Sequence, residues 1–169
     1  MTLRRSIVGG ALLVTAAVGC SDASGPRQPE VEVRVEPAVV GVRSQVREGG
    51  ETSITFEVIL AVRNTGKETL VVDACSGVVE RHEPGGEWRA MLGTVCDGSS
   101  SASPQHVVAP GARVVYGRFY NHVLSGGEHT LWGAPDFGGE YRYRVRVGSV
   151  GIGSTSAEVA TNTFTLTPE

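Results

Sequence analysis

Four histidines, three cysteines and three alternate arginines are the side chains of this 169-residue chain whose chemistry could be put to use. A histidine serves as a general base when a serine or cysteine nucleophile lies beside it, and as a metal ligand when two or three converge. The histidines stand at 82, 106, 122 and 129, with no His-x-x-x-His or His-Glu-x-x-His spacing and no Gly-x-Ser-x-Gly elbow to expose a nucleophile. His122 and His129 alone could approach one another, across a turn over 121–130. That pair is the candidate site of a hydrolase or metal-dependent enzyme, and solvated loop histidines are the simpler reading of the same spacing. Cys75 and Cys96 are far wider apart than the Cys-x-x-Cys of a redox pair or the two-residue ligand spacing of a zinc site. Gly148-Ser149-Val150-Gly151-Ile152-Gly153 has neither the glycine order of a phosphate loop nor a lysine, and reads as a hairpin tip. Arg142, Arg144 and Arg146 would project from one face of a strand at intervals of about 6.6 Å. Such a row can meet an anionic partner, a phospholipid headgroup, lipopolysaccharide or acidic glycan. It can equally pair with neighbouring Glu and Asp on a solvated sheet face, which also discourages edge aggregation. No enzyme activity, cofactor or metal is expected.

The amino terminus says where such side chains would work. Residues 1–5 carry Arg4 and Arg5, residues 7–18 are apolar and small, and Ala17-Val18-Gly19 precedes Cys20, the three parts of an export signal. The apolar run falls short of the ~20 residues that cross a bilayer, and Arg4-Arg5 reads as an ordinary basic leader. The segment resembles the signal of bacterial lipoproteins, in which the cysteine takes acyl chains such as palmitate; the usual leucine three residues before it is Ala17 here. The same Ala17-Val18-Gly19 satisfies the small-x-small rule of ordinary signal peptidase, which would release a free secreted protein. The cysteine count favours lipidation: with Cys20 acylated, Cys75 and Cys96 are left as a pair. In an oxidising compartment that pair is expected to form a disulfide around Trp88 and a hairpin, contributing about 3 kcal/mol.

Residues 1–19 are thus expected to be signal peptide, 20–30 a flexible tether and 31–169 one domain. The tether, Ser-Asp-Ala-Ser-Gly-Pro-Arg-Gln-Pro-Glu after the cysteine, has no large apolar residue and reaches about 33 Å at most. Loss of the signal removes two of the 15 basic residues and none of the 18 acidic ones. The mature 150 residues therefore carry a formal charge of −5, which excludes the basic footprint of a nucleic-acid binder.

The domain alternates like strands. Ile54, Phe56, Val58, Leu60 and Val62 recur every second residue against Thr55, Glu57 and Arg63, and Tyr141, Tyr143, Val145 and Val147 do so against the three arginines. Shorter strands are expected at 31–36, 69–73, 77–81, 87–91, 112–120 and 158–166. Asn64-Thr65-Gly66, Pro84-Gly85-Gly86, Pro110-Gly111 and Gly138-Gly139 mark turns between them. No window has helical periodicity. Seven or eight short antiparallel strands predict an all-β, two-sheet sandwich.

Three segments resemble bacterial immunoglobulin-like domains. Residues 54–70, through Val62-Arg63-Asn64-Thr65-Gly66 and Leu70, are similar to their B strand and turn. Val108-Ala109-Pro110-Gly111 is similar to their apolar-x-Pro-Gly turn. Gly139-Glu140-Tyr141, running into Arg142-Tyr143-Arg144-Val145, is similar to the start of strand F, where a tyrosine closes the corner on backbone. The resemblance implies an immunoglobulin-like sandwich without the B–F disulfide, Tyr143 standing where the second cysteine would be. A looser similarity, through Gly86-Glu87-Trp88-Arg89 and the later Pro-Gly turn, is to small β-sandwich proteinase inhibitors of the BsuPI type.

Together these readings predict an exported, lipid-anchored, non-catalytic binding or structural module of the bacterial envelope, held to membrane through Cys20. Ser21, by the sorting rule of enterobacterial lipoproteins, favours the outer membrane. An envelope protein or glycan is the expected partner, with Trp132 and Tyr120 either as further contact candidates or as aromatics capping the end of the sandwich. A proteinase inhibitor acting through residues 81–106 or 121–139 is the alternative.

Overall fold

The structure, a computed structural model, describes residues 29–94, 105–150 and 155–169. The signal segment, Cys20, Cys96 and the glycine-rich tip at 151–154 lie outside them.

Period-two patterning builds the two longest strands, β3 (Thr52–Asn64) and β4 (Leu70–His82), and each becomes the spine of a sheet. In the first sheet β1 (Val31–Val35) and β2 (Val39–Val46) lie in succession along one edge of β3, with Val33 opposite Val62 and Val42 opposite Phe56. Along the other edge runs β7 (Arg113–Leu124), paired from Thr52↔Leu124 to Arg63↔Arg113 without a register shift. In the second sheet β4 pairs on one edge with β5 (Trp88–Gly93) and β6 (Gln105–Val108), and on the other with β8 (Tyr141–Ser149), which carries β9 (Ser156–Ala160). The last strand, β10 (Thr165–Pro168), returns to the first sheet and runs parallel to β2. Placing β3 beside β7 in one sheet and β4, β8 and β9 in the other reproduces the B–E and C–F–G pairings of an immunoglobulin-like sandwich.

The alternation expected for β3 and β8 is met at every position. Ile54, Val58, Leu60 and Val62 are fully buried, as are Tyr141, Tyr143, Val145 and Val147 facing them. Among the described residues ten strands stand where seven or eight were expected, and the differences have local causes. Residues 69–73 and 77–81 form one strand, interrupted by a register shift between Asp73 and Val78. Residues 158–166 form two, because the chain leaves one sheet for the other between β9 and β10. β2 and β6 lie outside the expected strands because little of either is buried: only Val40 and Val42 of β2 face the core, and of β6 only Val108 is buried. A five-residue helix, α1 (Glu128–Trp132), was also unforeseen: it is too short to show a helical period, and Gly133 ends it with φ of 65°.

The corner before β8 closes as the resemblance implied. Tyr141 Oη donates to the Trp132 carbonyl at 3.0 Å, and the two rings stack at 6.1 Å. Tyr143 fills the place of the missing cysteine with a polar tie. Its hydroxyl and that of Tyr120 each share a hydrogen bond with Thr94 Oγ1 at 3.1 Å. Gly77 is required beneath it, since a Cβ there would lie 1.5 Å from Tyr143 Oη.

Candidate binding surfaces

The two sheets turn different outer faces to solvent. On the second sheet the arginines of β8 lie in a row, as their spacing required, but their charges are met from both sides. Glu80 of β4, only 4% exposed, accepts from Arg142 Nε at 2.7 Å and Arg144 Nε at 2.8 Å. Glu158 of β9 accepts from Arg144 and lies 4.0 Å from Arg146. The Arg142 guanidinium also covers the Trp88 ring at 4.3 Å, and the His82 ring packs against that ring at 4.9 Å. Register explains the carboxylates: Glu80 pairs with Arg142 and Glu158 with Arg146, so alternation puts all of them on the same face. Arg146 is the row's most exposed cation.

The histidines do not converge. His122 Nε2 lies 3.1 Å from Glu128 Oε1, and His129, on α1, is not its partner. The Ser125 N–H donates to the other Glu128 oxygen at 2.7 Å, and this bond, followed by the His122 contact, holds the Glu128 carboxyl below its ordinary value. His82 pairs with Glu140 at 3.5 Å, and His106 stacks on Tyr116 at 4.3 Å. Burial first, then the charge of Arg118, lowers the His106 value. No three His, Cys, Asp or Glu side chains are grouped to hold a metal among the described residues.

Two aromatics offered as contact anchors are core residues instead. Trp132 is 1% and Tyr120 5% exposed, and both pack on Phe56, with ring centroids at 5.9 Å and 5.1 Å. Phe137 is also buried, so much of 121–139 is folded onto the end of the sandwich by its apolar side chains. Of 81–106, the described part forms the end of β4, the β4–β5 hairpin and β6, while 95–104 lies outside the described residues.

The outer face of the first sheet was not anticipated. Val39, Val115 and Phe119 stand 55%, 50% and 70% exposed, and the side chains of Glu169 and Glu57 lie over Gly41 and Gly117 between them. The sequence hides this because 112–120 is mixed on both alternations. Val114, Tyr116, Arg118 and Tyr120 turn inward, so the interior takes an arginine while a phenylalanine stays outside. Arg118 is accommodated by donating to the Ala74 carbonyl across the sandwich and lies 5.8 Å from the Tyr116 ring.

No family model and no curated protein matches this chain. Among solved structures it is similar to a structural-genomics target with 13% identity and a TM-score of 0.43, over 82% of this chain and 86% of that one. A Bordetella pertussis protein described as ApaA gives 16% identity and a TM-score of 0.41, covering 85% and 98%. The seventh PapD-like domain of human CEP192 gives 11% identity and a TM-score of 0.33, covering 98% and 99%. At such identities and scores none of them bears on function.

Proposed function

We propose that the chain is a lipid-anchored, non-catalytic binding or structural module of the bacterial envelope. The observation that carries this reading is the way the chain joins its tether to the sandwich. The Glu30 carbonyl accepts from Thr65 N–H at 3.0 Å and Gly66 N–H at 3.1 Å, which pins the start of β1 to the β3–β4 turn. An anchor at Cys20 would therefore hold the sandwich by that one end and turn α1 and the β4–β5 hairpin away from the membrane. Placement in the outer membrane follows from Ser21. The row of Arg142, Arg144 and Arg146 belongs to the side of the sandwich and keeps one loosely held cation, Arg146, for an anionic partner.

The disulfide between Cys75 and Cys96 belongs to the same proposal. Val78 pairs with Gly93, and Thr94 N–H donates to the Gly77 carbonyl at 2.7 Å. The chain thus leaves the described residues running back along β4 towards Cys75, two positions before Cys96.

Intact mass and detergent partitioning of the native protein and of Cys20→Ala test the anchor. Acylated protein in the detergent phase and an aqueous variant are expected. A variant that stays with membrane ends the lipid reading, and an unacylated native chain cut before Cys20 would make the protein a secreted one. Stoichiometric block of a protease panel would replace the module with an inhibitor.

A further inference from the structure

Among the described residues the long edge of β7 has no partner strand. Glu36 N–H donates to the Ile59 carbonyl at 3.0 Å on the β1–β2 side of β3. On the other side Asn64 N–H donates to Ala112 and the Asn64 carbonyl accepts from Gly111, at 3.0 and 3.1 Å. Backbone groups alternate in direction along a strand, so the even-numbered residues of β3 are the ones bonded to β7. The register sets Leu60 against Tyr116 and Ile59 against Gly117. It follows that the N–H and C=O of Val115, Gly117, Phe119 and Asn121 point to the open edge, where β7 pairs with no second strand among the described residues. An open, twelve-residue edge bearing exposed Val115 and Phe119 is a template for another strand.

Val115 and Phe119 are placed symmetrically about Gly117. We propose that the occupant is a second copy of this chain, its β7 antiparallel to the first across a two-fold axis at Gly117. Each Val115 then lies opposite Phe119 of the other copy, an aromatic and β-branched cross-strand pair of the kind that stabilises sheets. Gly117 meets Gly117 and Arg113 meets Asn121, while the Glu57 carboxylate over each Gly117 swings away from the axis; Arg113 is already tied to Glu36. On the inner face the same pairing sets Tyr116 opposite Arg118 of the second copy. The two first sheets become one continuous sheet, and an isologous interface of this kind closes at the dimer.

The test uses the full chain in detergent micelles, with light scattering over a range of concentrations and a short bis-maleimide crosslinker. Twice the chain mass is expected for the native protein. Gly117→Cys is expected to crosslink readily, because the two substituted positions would lie about 5.5 Å apart between Cα atoms. Asn121→Cys, on the same exposed face but about 26 Å from its counterpart, is expected to crosslink at least tenfold less. Adding Phe119→Lys to Gly117→Cys is expected to lower the yield at least tenfold. A native chain that stays monomeric, or equal crosslinking at positions 117 and 121, overturns the proposal. A monomer that still partitions with membrane leaves the anchor standing, so the two ideas fail separately.

Discussion

The outer faces of the two sheets come from the same period-two patterning and are finished in opposite ways. On the second sheet the polar positions are long charged side chains whose cross-strand neighbours carry the opposite sign, so Glu80 and Glu158 bind the arginine row into a ladder. On the first sheet the corresponding positions of β7 hold Val115, Gly117 and Phe119, and the backbone edge beside them is open. The difference teaches that a row of like charges is a poor guide to a binding surface when each charge has a partner across the sheet. Exposed apolar side chains on an unpaired edge are the better guide, because nothing among the described residues pairs with that edge.

The largest effect is expected where the ladder is buried. Glu80→Ala removes the carboxylate that two guanidinium groups share and should destabilise the fold by about 3 kcal/mol, since breaking a buried pair leaves charge uncompensated. Denaturant unfolding should show a lower midpoint at an unchanged slope. A loss below about 0.5 kcal/mol would mean that the ladder is mere decoration and would weaken the contrast between the faces.

Phe119→Ser offers the opposite case. Its ring packs on nothing that the fold needs, so unfolding in dilute solution should change by no more than about 0.5 kcal/mol, while association at high concentration should fall. A costly Phe119→Ser would make the first sheet's outer face a structural surface like its counterpart.

A smaller effect belongs to the end of the sandwich, where His122 and Glu128 meet. The native Glu128 carboxyl lies below its ordinary value, chiefly through the Ser125 N–H and then through His122. A lowered native value contributes stability that is complete above the unfolded carboxylate's titration near pH ~4.3 and is lost as pH falls through the native one. Glu128→Gln should therefore flatten the acid side of the stability profile by a few tenths of a kcal/mol, the partial exposure of both side chains screening the rest. An unaltered acid limb in that variant would remove His122 and Glu128 from the account of this end.

How much of this was legible in the sequence varied from strand to strand. β3 and β8 could be read residue by residue, because one alternation was wholly apolar and the other polar, and a half-buried strand admits no other orientation. The tyrosine corner was legible for a similar reason: a tyrosine at the start of a strand, after a glycine pair, needs a partner for its hydroxyl when the ring is buried. β7 was legible as a strand and illegible in its orientation, because Val114 and Val115 or Phe119 and Tyr120 could each have turned inward. α1 was missed because a single turn of helix carries no period. Trp132 and Tyr120 were open to two readings in the sequence, since exposed and end-capping aromatics look alike until the packing around Phe56 is known.

By itself the sequence determined the class of fold and the strand faces rich in one kind of residue, for these depend on local pattern and composition. Only the tertiary structure decided which carboxylates meet the arginines, which of His122 and His129 gains a partner, and which strand edge is left open. Those outcomes depend on register between segments far apart in the chain. No local pattern encodes register, because it is set by how two sheets bury their apolar faces together.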